Sequence, residues 1–408
     1  MNQCERHFIS KDHRMYNIID DLCFKSKNLY NFSNYIIRQE FIKKNKVITY
    51  NELYHIVKNS NEYRTLGSNI GQGILRVLCK NWKSFLVSRK DYFKNPNKYF
   101  GKPNLVGYLD KNGRFPLYLD SNKIRLLDSK IYFSWQPLKI FNNSFNTKIN
   151  ARIIQIRFIP KFNEYIMEVV YNKEDEVKKE YNNRVLGIDL GVNNFVTLSN
   201  NIGDKSIIIN GKPLKSINQY YNKKKSKLLS ELKIKNNKHK SKRLSKLERK
   251  RYFKIDYFLH KTSKFIVDYC INNNINSIVI GLNKTWKQEC NMSKNNNQKF
   301  VSIPYSLFIN KLKYKSENKG INFIITEESY TSKCSFLDNE TLCKKEKYKG
   351  KRIERGLYKS KNKTLINADL NASYNIIKKV FPECFDGIEG VDLHPYKLNV
   401  YKTGFNSR

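Results

Sequence analysis

Hydrophobic positions change their period more than once along this chain. Residues 1–10 suit a single strand, and the apolar positions that follow repeat every three to four residues. Ile18, Leu22, Leu29, Phe32 and Ile36 fall on one helical face, with Asp12 as the candidate N-cap. Thr49 and Glu52 have capping-box spacing and open a second helix through Leu53 and Ile56. Ile74, Leu78, Trp82 and Phe85 mark a third. After a glycine-bounded turn region at 101–113 the period falls to two. Ile124–Leu127 and residues 131–135 flank a turn at Asp128-Ser129-Lys130, a hairpin signal. Ile154, Ile156 and Phe158 alternate with Gln155 and Arg157. Beyond a turn at 160–163, Tyr165, Met167, Val169 and Tyr171 alternate again. The charged segment 173–183 reads as a domain boundary.

The second half opens with Val185–Leu190, an apolar run short enough to be a strand buried on both faces. Gly191, Val192, Asn193 and Asn194 then turn the chain into an antiparallel neighbour. The run contains one carboxylate, Asp189, whose burial is costly unless it meets something positive. Far along the chain Asp369, among small residues, leads a helix. Between them the pattern predicts an amphipathic helix over 257–269, a strand at 277–280, a helix over 304–319 and a strand at 321–326 ending in Glu327-Glu328. Residues 329–365 read as a basic loop, and everything after Phe381 as a loose extension.

Charge changes the picture. The 408 residues carry 77 Lys and Arg against 36 Asp and Glu, a net charge of +41. With 13% aromatic and 40% hydrophobic residues the chain is a folded basic protein rather than a disordered tail. Such self-repulsion calls for a polyanion, and nucleic acid is the expected partner, bound in a salt-sensitive way. No long apolar run or signal peptide points to a membrane, so a cytoplasmic, nucleoid-associated location is expected. The eight cysteines form no Cys-x-x-Cys pair, which argues against a disulfide framework and a four-cysteine zinc site. Between Gln219 and Ile255 the only acids are Glu231 and Glu248. A merely solvated helix mixes signs to gain i,i+4 pairs, so this stretch reads as a phosphate-tracking helix. It would act through Lys223, Lys224, Lys225, Lys240, Lys242, Arg243, Lys246, Arg249, Lys250 and Arg251.

The Asp189 and Asp369 segments resemble the first and third motifs of the RuvC-like nuclease domain of the TnpB family, transposon-encoded RNA-guided DNA endonucleases related to type V CRISPR effectors. The basic helix before Ser277, the segment from Ile278 to Gln288 and the run Tyr330-Thr331-Ser332-Lys333-Cys334 extend the resemblance over the C-terminal half. The N-terminal half matches only in general layout. The resemblance implies an α+β multidomain fold. Residues 1–10 and 102–178 would form a wedge-like β-barrel, and 11–101 an inserted helical recognition module. Residues 179–328 and 366–382 would form an RNase H-like (RuvC-like) α/β nuclease domain. The insert 329–365 would be a degenerate, zinc-free ribbon that binds target nucleic acid through Lys333, Lys351, Arg352 and the lysines between them, and 383–408 a tail. The implied cofactor is two Mg²⁺ or Mn²⁺ ions held by carboxylates. Guide RNA and double-stranded target DNA are the implied partners.

One departure stands out. Where the family has a glutamate after the strand at 277–280, this chain has Gly281-Leu282-Asn283. The next strand over ends in Glu327-Glu328, about one strand spacing of ~4.8 Å further out. Gly281 leaves room for that reach, so Glu328 is expected to complete the metal site, with Glu327 the second choice. Successive strand residues point to opposite faces, so only one can serve. His260, on an amphipathic helix, reads as structural. Two other functions remain open: an RNA-guided DNA binder that does not cut, and a DNA-joining transposase.

Overall fold

The computed structural model describes residues 2–139, 144–174, 176–236, 239–283, 293–387 and 390–401. The chain divides into two compact units, Met1–Glu174 and Asp175–Arg408. The stretch from 284 to Gln288, part of the sequence resemblance, lies outside the described residues.

The first unit runs β1 (Asn2–Ile9), α1 (Tyr16–Lys44), α2 (Tyr50–Val57), α3 (Asn61–Arg64), α4 (Ser68–Lys94), β2 (Leu117–Asp120), β3 (Ile124–Leu127), β4 (Lys130–Phe133), α5 (Gln136–Lys139), β5 (Ser144–Asn146), β6 (Ile153–Lys161) and β7 (Glu164–Asn172). Helices α1 to α4 lie in the chain between β1 and the other strands. Ile74, Leu78, Trp82 and Phe85 are all buried, and the Trp82 indole donates to Asn34 Oδ1 on α1 at 2.8 Å. The capping box at Thr49 is present in both directions, at 2.6 and 3.3 Å. Asp12 is not a cap: α1 begins at Tyr16 behind Met15, which is fully buried and anchors the entry by packing. Ile56 is exposed.

Strand order is β1-β7-β6-β2 in one sheet and β3-β4-β5 in another. Among the described residues these do not close into a barrel. The four-residue β2 ends in a 3₁₀ turn at Ser121–Lys123 that hands the chain to the second sheet. A bulge between Ile153 and Gln155 turns Ile154 outward, so the inward set is Ile153, Ile156 and Phe158. Asp128 and Ser129 both take positive φ, the backbone that a two-residue hairpin turn demands.

The second unit contains β8 (Val185–Leu190), β9 (Asn194–Asn200), β10 (Ile207–Asn210), α6 (Lys212–Asn236), α7 (Lys242–Asn272), β11 (Ser277–Gly281), α8 (Lys294–Val301), α9 (Tyr305–Glu317), β12 (Asn322–Thr326), β13 (Lys351–Glu354), β14 (Leu357–Lys359), β15 (Leu365–Asn367), α10 (Ala368–Val380) and β16 (Tyr396–Leu398). Its main sheet has the order β12-β11-β8-β9-β10-β16. β8 is antiparallel to β9 and parallel to β11, which is parallel to β12. Alternation divides β8 between two cores. Leu186, Ile188 and Leu190 pack with Phe258 and Leu259 of α7 and Phe308 of α9. Val185 packs with Val279 of β11 and Ile376 and Ile377 of α10.

The basic run and the amphipathic 257–269 segment belong to one continuous helix, α7, capped by Ser241. Residues 329–365 are better ordered than a loop: β13, β14 and β15 form a small antiparallel sheet. Its hub is Glu340, only 1% exposed, which accepts from the backbone of Ser335 and Lys349 and from the Lys345 ammonium, at 2.9, 3.1 and 3.3 Å. Asn371 and Asn375 of α10 donate to the Cys334 carbonyl, each at 2.9 Å, and tie the insert down. The tail is not loose. β16 pairs in parallel with β10, Leu398 and Val400 are buried, and Asp392 accepts from the Ser206 backbone at 2.7 Å. A three-residue strand is too short to show a period, yet it covers an otherwise open sheet edge.

Gly187 permits the contact between sheet and helix. A Cβ there would lie 2.5 Å from Ile377 Cγ1 and 2.6 Å from the Ser373 carbonyl oxygen. Gly187→Ala should therefore destabilise the second unit by roughly 1–3 kcal/mol, an overpacking cost, seen as a lower denaturant midpoint with an unchanged m-value.

Candidate active site

Asp189 lies two residues beyond Gly187 on β8, so its side chain leaves the strand on the α10 face. Asp369 lies in the first turn of α10, with Asn367 as the N-cap: its side chain accepts from the Asp369 and Leu370 backbone at 3.0 and 3.1 Å. The first residue of β9, Asn194, donates its amide to Asp369 Oδ2 at 2.7 Å. From the insert, Arg352 on β13 reaches Asp369 Oδ1 at 3.5 Å.

The third carboxylate follows β12. The ladder places Gly281 opposite Thr326 and continues with the Leu282 N–H donating to the Thr326 carbonyl at 2.8 Å. Asn283 then holds Glu328 twice. It accepts from the Glu328 backbone at 3.1 Å and donates to Glu328 Oε1 at 3.2 Å. A Cβ added to Gly281 would lie 3.1 Å from the Glu328 Cβ and 2.6 Å from Ile376 Cδ1. The space beside the missing side chain is thus where Glu328 stands. Glu327 points elsewhere: it is exposed and paired with Lys379 at 3.2 Å.

Electrostatics link the three acids. The Asp189 carboxyl is pushed well above its ordinary value by burial first, then by the charges of Asp369 and Glu328. The Arg352 guanidinium and a hydrogen bond from the Leu190 backbone oppose that shift. Burial, with Glu327 second, raises Glu328. Tyr305 of α9, which donates to the Gly191 carbonyl at 2.8 Å, is raised by burial and by Asp189. No three His, Cys, Asp or Glu side chains among the described residues already stand as a preformed metal cage. The donor set nevertheless fits a hard divalent cation. It is made of carboxylate oxygens, and a dication would relieve the field that Asp369 and Glu328 place on Asp189.

Comparisons with known proteins concern the sequence family and the fold. A family model described as "Probable transposase" (OrfB_IS605) matches residues 168–287. A second, "Cas12f1-like, TNB domain", matches 305–376. These two stretches are thus similar to a transposase of that family and to a Cas12f1-like domain. Among solved structures it is similar to one titled "Cryo-EM structure of the Cas12f1-sgRNA-target DNA complex". The TM-score is 0.53 and the identity 15%, over 89% of this chain and 82% of that one. A second, "Cryo-EM structure of CRISPR-Cas12f Ternary Complex", has a TM-score of 0.34 and 16% identity over 88% and 80%. No curated protein matches the chain. The likeness at these identities concerns the fold: a mixed α/β, multidomain architecture.

The remaining residues singled out in the sequence differ in their surroundings. Lys223, Lys224, Lys240, Lys242, Arg243, Lys246, Lys250, Lys333 and Lys351 are exposed. Lys225 lies over the Tyr221 ring at 5.5 Å, and Arg249 is partly buried. Arg251 is committed inside the protein: it donates to Asn218 Oδ1 at 2.7 Å and to the Ser302 carbonyl at 3.2 Å, and burial lowers its pKa. It braces α6, α7 and the end of α8 instead of contacting a ligand. His260 is structural, within 2.6 Å of Lys311 Nζ. Sequence reasoning placed Arg352 on nucleic acid and missed its position at Asp369, because a residue seventeen positions upstream in a loop-like segment gives no periodic signal.

The folded-state pKa of Asp189 lies above its ordinary 3.8. Above that value the unfolded chain has released a proton that the native chain still holds, so this group makes stability fall as pH rises through the interval. Asp189→Asn removes the effect. At pH 7 with chelator present, its Tm should exceed that of the wild type. The difference should shrink as pH is lowered toward 4.

Proposed function

We propose that this chain is an RNA-guided DNA endonuclease in which Asp189, Glu328 and Asp369 hold the catalytic divalent cations on an RNase H-like sheet. The observation that carries the reading is a buried strand carboxylate, Asp189, on which the charges of both Asp369 and Glu328 act, in a chain of net charge +41. The similar solved structure is titled as a complex with guide RNA and target DNA, which supports the same two partners here. Base pairing by the guide would select the target, while the basic surfaces of α6, α7 and the insert grip backbone phosphates.

Within the site the division of labour follows from position. Asp189, on a central strand, is the most rigid ligand. Asp369 is oriented by Asn194 and by the N-terminal turn of α10. Asn283 fixes Glu328 in the place vacated at Gly281. Arg352 stands next to Asp369, where its guanidinium can offset the charge of the phosphate being cleaved. Bound there, Mg²⁺ or Mn²⁺ would supply an activated water and neutralise the leaving oxygen.

Asp189→Ala and Asp369→Ala should each reduce cleavage by about 10³-fold or more, the several kcal/mol that metal ions contribute, while leaving RNA binding intact. Glu328→Gln should be equally severe. Combining it with Asp189→Ala should add little, because ligands acting as a unit are not additive. Glu327→Gln should be nearly silent. The assay is cleavage of plasmids randomised beside the target, using the RNA that co-purifies with the protein. Normal cutting by Glu328→Gln would remove that residue from the site. Guided binding without any cutting would leave a DNA-binding protein, and strand-transfer products without RNA would point to a transposase.

A further inference from the structure

A cavity of about 370 Å³ opens between α6 and the end of α8. Its lining among the described residues contains neither an acid nor an apolar side chain: Lys215, Asn218, Gln219, Asn222, Gln298 and Lys299 supply most of it. The wall is fixed from behind, since Arg251 locks Asn218 to the Ser302 carbonyl. The charged neighbours that act most on Lys215 are all cations, namely Lys299, Arg355 and Lys212. So many positive groups in one place, braced by a guanidinium already in use, suit an anion.

Two separate links connect this cavity to the candidate active site. The turn after β8 places Asn193 Oδ1 at 2.6 Å from Lys215 Nζ, and the next residue, Asn194, at 2.7 Å from Asp369. The β13–β14 hairpin brings Arg352 to Asp369 and, three residues on, Arg355 to the neighbourhood of Lys215. Cavity and carboxylates are therefore adjacent positions along one track.

We propose that this cavity is a subsite for one unpaired nucleotide of the DNA strand being cut, next to the scissile phosphate. Lys215, Lys299 and Arg355 bind its phosphate. The amides of Asn222, Gln219 and Gln298 meet the base edge, where donors and acceptors on one planar group match those of a base. An amide lining suits a base better than a phosphate, and a duplex would not fit 370 Å³. The subsite rests on the nuclease reading above for its neighbour, the scissile phosphate, but its occupancy can be measured without cleavage.

The probe is a target DNA with a short unpaired stretch, carrying one photoreactive 4-thiothymine moved position by position. It is mixed with the full-length Asp369→Ala chain and its co-purified RNA. Crosslinks to Asn222, Gln219 or Gln298 should come from a single position and disappear in the Asn222→Ala, Gln298→Ala double variant, which cuts back two cavity-lining amides, one half-buried and one exposed, and whose folding is checked by an unchanged Tm. In the chain with native Asp369, an abasic site at that position should slow cleavage about tenfold, within the span of one good amide–base pair. The double variant should show the same slowing on intact DNA and no further loss on abasic DNA. Crosslinks scattered over many positions, or losses that multiply, would overturn the subsite while leaving the nuclease reading intact. A single-position crosslink in a chain whose native form never cuts would sustain a single-strand subsite and sink the nuclease reading.

Discussion

Like charges that face one another in a partly enclosed place must be given a counter-charge or a proton. Asp189 lies on the α10 face of a central strand, with Asp369 and Glu328 acting on it, and its carboxyl holds its proton far more tightly than a solvated one. Much of the second unit fixes that geometry. Gly187 lets α10 lie on β8, Asn367 and Asn194 set the position of Asp369, and the insert brings in Arg352, whose guanidinium opposes the shift of Asp189. An apolar replacement would be the cheaper design if the fold alone were at stake.

Gly281 and Glu328 are two halves of one exchange. A side chain at 281 would collide with Ile376 and crowd Glu328, so the present packing of α10 against β11 requires a glycine there. Glu328 reaches the same region from the neighbouring strand because β12 runs parallel to β11, in register through Thr326. Asn283 completes the arrangement from the β11 side. A simple reversal by Gly281→Glu would have to move Ile376 as well.

Much of this was legible in the sequence, for local reasons. The strand around Asp189, the helix led by Asp369 and the α4 stripe announce themselves through runs and periods that burial imposes. The β11–β12 adjacency that places Glu328 came from a family resemblance, and the register agrees with it. What periodicity could not show was long-range or short-lived. The two open sheets replacing a closed barrel depend on where β2 stops. The bulge at Ile154 breaks an alternation that otherwise reads cleanly. β16 is only three residues long, and its reason for existing is the edge of β10. Arg251 and Arg352 look like their basic neighbours, yet one braces helices and the other meets Asp369. Their partners lie on other elements, and composition carries no trace of that.

Placement of Glu328 as a metal ligand is the central claim, and it can be seen directly. Crystals of the full-length protein soaked in Mn²⁺ should give anomalous density bounded by carboxylate oxygens of Asp189, Asp369 and Glu328, with Gly281 alongside. Density held by Asp189 and Asp369 while Glu328 stays turned away, or no density at these residues at all, would contradict the account.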